Sequence, residues 1–406
     1  MPKIALLRLD SGRHDSVRFE RDRAEFLAPL RREFTLLETR PGEAVEADLH
    51  VVFIASGGSE DGFRRLYPGL PRPVILLADG KHNSLPAALE ISSWVRQGGE
   101  AAEIVHGDSG FISARLHRLA VFQRTRRALA GPIGILGEPS DWLIASAVDR
   151  SAVKKRWGTE FVDIALNEVT AHEADEGEVT ALAREFSAKA TALDGVDDAT
   201  VRTAARLLPA LKAVFRSRRL QAATLRCFSL IEQLKTSGCL ALSLLNDEGL
   251  ICGCEGDVPA TFSMLLLFAL TGEIPFMANP AAVDSENNRL LLAHCSVPRR
   301  AVSGYRLQTH FETGLGVGLS GDFAPGSVTI FKAGGPGLEK YFVAAAEVLH
   351  APPQAGLCRT QVRLQLREPA GYFLHASLAN HHVLVRGDHA GLIDDFMRHC
   401  GAARVS

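Results

Sequence analysis

The chain has 406 residues, 46% hydrophobic and 23% charged, with a formal net charge of -2 and a pI near 6.7. Single cores stop growing at roughly 250–300 residues, so two or three globular domains are expected. The near-neutral balance offers no field for a phosphate backbone or an anionic lipid surface, which sets aside nucleic acid and membrane as main partners. Seven cysteines, an odd number without small-scaffold spacing, suit a reducing compartment, and the start MPKIALLRLD reads as a first strand, not a signal peptide. A cytoplasmic protein is expected.

The first part of the chain alternates strand-like stretches at 3–7, 49–54, 74–78 and 102–105 with amphipathic stretches at 21–33, 85–97 and 111–128. That alternation predicts a parallel sheet wrapped by helices. Ligands gather beyond the carboxyl ends of such strands, here Ser56-Gly57-Gly58, Asp79 to Asn83 and His106-Gly107-Asp108. A second α/β unit begins with the strand 133–136 and the turn Gly137-Glu138-Pro139-Ser140, with Ser140 placed to cap a helix from Asp141. A polar region at 165–200 leads into a long helical stretch to about Lys235, then a strand at 240–245 and a short strand ending at Glu255. Residues 259–271 read as a helix apolar on nearly all sides, capped by Asp257 and ended by Gly272. From about Pro298 the texture becomes alternating and Gly-punctuated, with strands at 317–319, 328–332, 360–366 and 383–386. The expected architecture is two doubly wound α/β domains, 1–129 and 130–297, followed by a C-terminal β-rich, barrel-like domain at 298–406.

The chemistry concentrates in residues 244–298, where an acid, Glu255, an amide, Asn279, and an imidazole, His294, stand at or beyond the ends of candidate strands. Asn380-His381-His382 adds two imidazoles before a late strand. One carboxylate, one or two imidazoles and an amide oxygen suit a divalent ion such as Mn²⁺. Cys254 and Cys295 adjoin two of these residues and raise zinc as an alternative. Neighbours in a strand point to opposite faces, however, so both thiols are read as core.

The segment CEGDVP at 254–259, the apolar helix after it, the FMANP turn and Ala293-His294-Cys295 resemble the fucose/arabinose isomerase-like proteins, in their shorter branch. GEPSDWLIAS at 137–146 and ANHHVLVRGDH at 379–389 are similar to the same group, and the resemblance covers roughly residues 131–406. It implies a divalent metal, commonly Mn²⁺, held by two acids and one or two histidines, with the acids carrying protons. Glu255 then corresponds to the first acid, and His294 and His381 to histidine ligands. Asn279 stands where the second acid is expected, and an amide cannot act as a base. The resemblance also implies a trimer or hexamer in which Lys81, His82 and Asn83 reach substrate from a neighbouring subunit.

Metal-dependent aldose–ketose isomerisation of a sugar or sugar derivative is the leading expectation. Another metal-assisted proton transfer or carbon–carbon cleavage on a polyol, or sugar binding without catalysis, are the alternatives. Trp142 is placed to stack on a sugar ring or to anchor a domain interface. Asp257 and Asp284 are nearby acids, also readable as a helix cap and a turn residue. His382, His310 and Lys332 are further polar candidates.

Overall fold

Apolar runs such as LHVVFI and VILLA form the interior of an all-parallel sheet, where burial on both faces removes the usual polar alternation. The sheet contains β1 (Lys3–Leu9), β2 (Thr35–Thr39), β3 (Leu49–Ile54), β4 (Val74–Ala78) and β5 (Ala102–Val105) in the order β2-β1-β3-β4-β5. Its helices are α1 (Ser16–Glu33), α2 (Glu60–Leu66), α3 (Ser84–Gln97) and α4 (Ser109–Leu129). Phe63 of α2 and Ala87, Ile91 and Val95 of α3 pack on Val52, Ile54 and Leu76. This computed structural model describes residues 1–12 and 16–406. Contacts divide it into two units, residues 1–125 with 399–401, and 126–398 with 402–406.

The second unit holds a parallel sheet, order β10-β9-β6-β7, made of β6 (Pro132–Leu136), β7 (Glu160–Ile164), β9 (Ala222–Leu225) and β10 (Ile251–Cys254). A short strand, β8 (Leu193–Asp194), lies apart and pairs with β13 (Gly304–Gln308), whose other neighbour is β14 (Gly318–Asp322). The helices here are α5 (Arg150–Trp157), α6 (Asn167–Thr170), α7 (Glu176–Lys189), α8 (Asp198–Ala205), α9 (Leu207–Arg218), α10 (Cys227–Leu234), α11 (Cys239–Asp247) and α12 (Val258–Thr271).

A closed six-stranded antiparallel barrel completes the unit. It runs through β15 (Ser327–Gly334), β18 (His382–Arg386), β11 (Phe276–Asp284), β12 (Arg289–His294), β17 (Thr360–Leu366) and β16 (Lys340–Leu349), and β16 pairs back to β15. Closure leaves no edge along these strands, although β19 (Ala403–Arg404) adds a short parallel pairing to β16. Because β11 and β12 belong to the barrel, it begins before residue 298. Helix α12 packs on both β10 and β15, so one buried helix joins parallel sheet to barrel. Helices α13 (Tyr372–His375) and α14 (Ala390–His399) follow β17 and β18.

Three expected elements differ. Residues 240–245 lie in α11, not a strand, because all nine residues of that helix are buried and no polar face marks its period. The long helix to Lys235 is interrupted: Arg219 turns left-handed at φ 51 to end α9, and AATL forms β9, buried between β6 and β10. No helix starts at Asp141. The backbone N–H of Ser140 donates to the Glu255 carbonyl (2.9 Å), and Arg226 holds Pro139 O and the Asp141 carboxylate, so residues 140–146 run as successive turns.

Candidate metal centre

Strand β10 ends at Cys254, and the chain must then reverse into α12. Glu255 makes that turn at φ 62 and Gly256 at φ 72. A side chain at residue 256 would meet Pro139 Cα at 2.6 Å, so only glycine fits. A non-glycine residue at positive φ carries strain of order 1–3 kcal/mol, and here the strain aims the Glu255 carboxylate beyond the strand end. Its Oε2 accepts a hydrogen bond from Trp142 Nε1 at 2.7 Å. Oε1 faces His381 Nε2 at 3.4 Å and His294 Nε2 at 3.9 Å.

His294 is the last residue of β12, 4% exposed, with Nδ1 hydrogen-bonded to Ser296 Oγ at 2.8 Å. Burial, then the neighbouring His381 charge, push its pKa down to about 3, so the ring is neutral and has a lone pair to offer. His381 precedes β18 and is fully buried; its Nδ1 donates to Asp257 Oδ2 at 2.9 Å, while Nε2 has no hydrogen-bond partner. Burial opposes its charge, but Asp257 and Glu255 prevail and raise its pKa to about 9.

Asp257 has no exposed surface. It caps α12, with Oδ1 accepting from Ala260 N at 2.8 Å, while Oδ2 holds His381. Lys332 of β15, also fully buried, brings its Nζ to 3.8 Å from Oδ1, and that Nζ has no hydrogen-bond partner. Burial depresses the ammonium pKa, against the pull of Asp257. Burial raises the Asp257 pKa and the charges of Lys332 and His381 lower it, with a net fall to about 2. A Lys–Asp–His chain thus fixes which imidazole nitrogen faces Glu255.

Glu255, His294 and His381 each offer one ligand atom, all within 4.8 Å of one another. A carboxylate, the neutral imidazole of His294 and the buried Nε2 of His381, which must release its proton to bind, fit a divalent ion of Mn²⁺ or similar type. The thiols beside these residues turn away. Cys254 Sγ lies 2.9 Å from Cys227 Sγ, and both Cys254 and Cys295 are buried, as expected of core cysteines.

Next to this cluster lies a cleft of about 440 Å³ lined by Trp142, Phe228, Glu255, Asn279, Glu312 and Asn380. Trp142 sits in a turn, half exposed, its ring edge-on to Phe228 at 4.9 Å. Asn279 Oδ1 accepts from Asn380 Nδ2 at 2.7 Å. The cleft therefore gathers Glu255, Asn279 and Trp142 from the sequence candidates, with His294 and His381 beside Glu255.

Other candidates lie elsewhere. His382 is fully buried, bonded to Asn380 O and Tyr372 Oη, with Phe342 and Phe373 around its ring, so it reaches no cleft surface. Lys81, His82 and Asn83 belong to the first unit, where Lys81 Nζ and His82 Nε2 both bind the Asp22 carboxylate at 3.1 and 3.0 Å. Sequence reasoning missed Phe228 and Glu312, which carry no motif. Lys332, a candidate from the sequence, stands behind Asp257 and is not among the residues lining the cleft.

No protein-family model matches the chain. It is 25% identical over 321 residues to the sulfoquinovose isomerase of Alkalicoccus urumqiensis, a match spanning 75% of this chain and 72% of that protein. It is 24% identical over 323 residues to the sulfoquinovose isomerase of Priestia aryabhattai, with the same coverage, 75% and 72%. A protein of the same name from Clostridium sp. (strain MSTE9) is 26% identical over 164 residues, 38% of this chain and 36% of its own length. Among the described residues no helix is long and apolar enough to cross a membrane.

Proposed function

We propose that the chain is an isomerase interconverting the aldose and ketose forms of a sugar or sugar derivative, using a divalent ion such as Mn²⁺ held by Glu255, His294 and His381 and completed by the Asn279 amide oxygen. The observation that carries this reading is the convergence of those three ligand atoms beside a cleft presenting an indole face and two amides. The relatives' name, an isomerase of a sulfonated hexose, supports it.

Isomerisation moves a proton between C2 and C1 through an enediol, so the site must accept a carbon-bound proton and stabilise negative charge on oxygen. The ion, when bound, supplies a Lewis acid for that oxygen. Burial raises the Glu255 pKa, but His381, His294 and Trp142 outweigh it and bring it down to about 2, so a carboxylate stands ready at neutral pH. Its Oε2 is held by Trp142, which fixes the direction from which it approaches substrate. The exposed Trp142 face offers a stacking surface for a sugar ring. Asn380 orients Asn279 with its amide oxygen accepting. The cleft-lining residues include no Lys or Arg. A neighbouring copy in a trimer or hexamer, contributing Lys81, His82 and Asn83, is the proposed source of contacts to the far end of the substrate.

The test is proton exchange and product formation followed by NMR in deuterated water, with Mn²⁺ and a panel of neutral aldoses, ketoses and a sulfonated hexose. Expected are conversion of at least one sugar, deuterium at the transferred position, and loss of both in Glu255→Gln. A sugar that binds without exchange would leave sugar binding as the function, and exchange without ketose would move the chemistry beyond isomerisation. Light scattering that shows only monomer at micromolar concentration would remove the neighbouring-copy contacts.

A further inference from the structure

We propose that Glu312 is the second acid–base residue of the reaction, serving the substrate oxygens while Glu255 serves the carbons, and so filling the role that the amide of Asn279 leaves open. This rests on the isomerase reading. Of the six side chains lining the cleft, four are an indole, a phenyl ring and two carboxamides, none of which exchanges a proton near neutral pH. Asn279 and Asn380 are moreover bonded to each other. Glu255 and Glu312 are the proton carriers of that lining.

Glu312 lies on the turn between β13 and β14, and the turn is braced from several sides. Arg359 donates to Thr309 O at 2.8 Å and to Thr309 Oγ1 at 3.1 Å, with its guanidinium over the Phe311 ring at 5.8 Å. His310, 6% exposed, bonds Thr313 Oγ1 through Nδ1 at 3.1 Å and sets its ring edge-on to Phe228, itself a cleft residue. On the far side Val317 N donates to Ser237 Oγ at 3.0 Å. Gly316 passes so near that a Cβ there would come within 2.3 Å of Ser237 N. The carboxyl is carried by a fixed turn.

The two acids reach the cleft from separate elements, Glu255 from the turn after β10 and Glu312 from the exposed β13–β14 turn. Glu255 takes the proton from C2. The C2–H electron pair becomes the C1=C2 bond, and the carbonyl π pair moves to O1, which receives a proton from Glu312. In the second half the O2–H pair becomes the C2=O2 bond and its proton goes to Glu312. The C1=C2 π pair then takes the proton back from Glu255 at C1. Both acids end as they began.

The test compares wild type, Glu312→Gln and Glu312→Ala on a sugar that wild type converts, with Mn²⁺ affinity measured separately by calorimetry. Expected are Mn²⁺ affinities within about twofold of wild type, kcat lowered about 100-fold or more with a small change in KM, and partial recovery of Glu312→Ala by added acetate. A merely structural role would give no acetate rescue. Turnover of Glu312→Gln within about threefold of wild type, or loss of turnover together with Mn²⁺ binding and without rescue, would overturn the assignment while leaving the isomerase reading intact. If wild type exchanges no proton of any sugar, the isomerase reading fails and the assignment falls with it.

Discussion

Asp257 Oδ2 and His381 Nδ1 meet at 2.9 Å, with both side chains fully out of solvent, and this contact decides which nitrogen of His381 is presented to Glu255. A carboxylate behind a histidine ligand orients the ring and raises its basicity. Asp257 thus acts on the centre from behind, as helix cap and as the partner of an imidazole.

Asp257→Asn keeps a side-chain oxygen for the α12 cap and removes the charge behind His381. Mn²⁺ affinity is expected to fall about 10- to 100-fold with the far-ultraviolet circular dichroism unchanged. Unchanged affinity by calorimetry would mean that the ring needs no such partner.

Lys332 gives a second prediction. Its side chain is fully buried, with Nζ 3.8 Å from Asp257 Oδ1. Lys332→Met leaves Asp257 with one cationic neighbour fewer and is expected to cost about 3 kcal/mol or more in urea unfolding. The double variant Lys332→Met, Asp257→Asn should cost less than the sum of the singles, with a coupling of about 1 kcal/mol or more. Strict additivity would show that the pair does not interact.

Asn279→Asp keeps the oxygen that Asn380 binds and adds a negative charge beside Glu255. Mn²⁺ binding should tighten, because the donor set gains a charge, while the Lewis acidity of the bound ion falls. Electron paramagnetic resonance titration of free Mn²⁺ reads the affinity, and weaker binding in the variant would remove Asn279 from the centre.

In the first unit, Glu103 accepts from Arg115 Nη2 at 2.9 Å and His399 Nδ1 at 3.0 Å. Burial alone would raise its pKa, but His399 and Arg115 together lower it from 4.5 to about 2. A depressed carboxyl pKa contributes stability above the unfolded value and loses it as pH falls through the folded one. Wild type should therefore exceed Glu103→Gln by about 3 kcal/mol at pH 5.5, and that margin should shrink between pH 4.5 and 2. Native-state hydrogen exchange of the β5 amides at pH 5.5 and 3.5 measures it, and a margin independent of pH would contradict the ion-pair origin.

Most of the first parallel sheet and the β-rich character of the C-terminal domain were legible, because many of their strands are apolar runs or clean alternations. Asp257 was legible as a cap, for capping is decided within four residues. Helix α11 and strand β9 were not, since a segment buried on all sides has no period to read. The candidate ligands stood out as acid and imidazole at strand ends beside a recognisable segment. Glu312 had no such marker: its place in the cleft depends on Arg359, Phe228 and Ser237, all distant in sequence. The burial of His382 likewise follows from its packing against Tyr372 of α13 and Phe342 of β16, which no local pattern announces.

The three candidate ligands come from the end of a parallel strand, from the second barrel strand and from the lead-in to the β18 strand of the barrel. Pairings of such long sequence separation form late, because each must first overcome the entropy of a large loop. A nascent chain that ends before the lead-in to β18 therefore lacks one of the three candidate ligands. Metal uptake would serve as a checkpoint on completed folding, and cellular quality control that samples the unfolded chain would compete with the supply of metal for the same molecules.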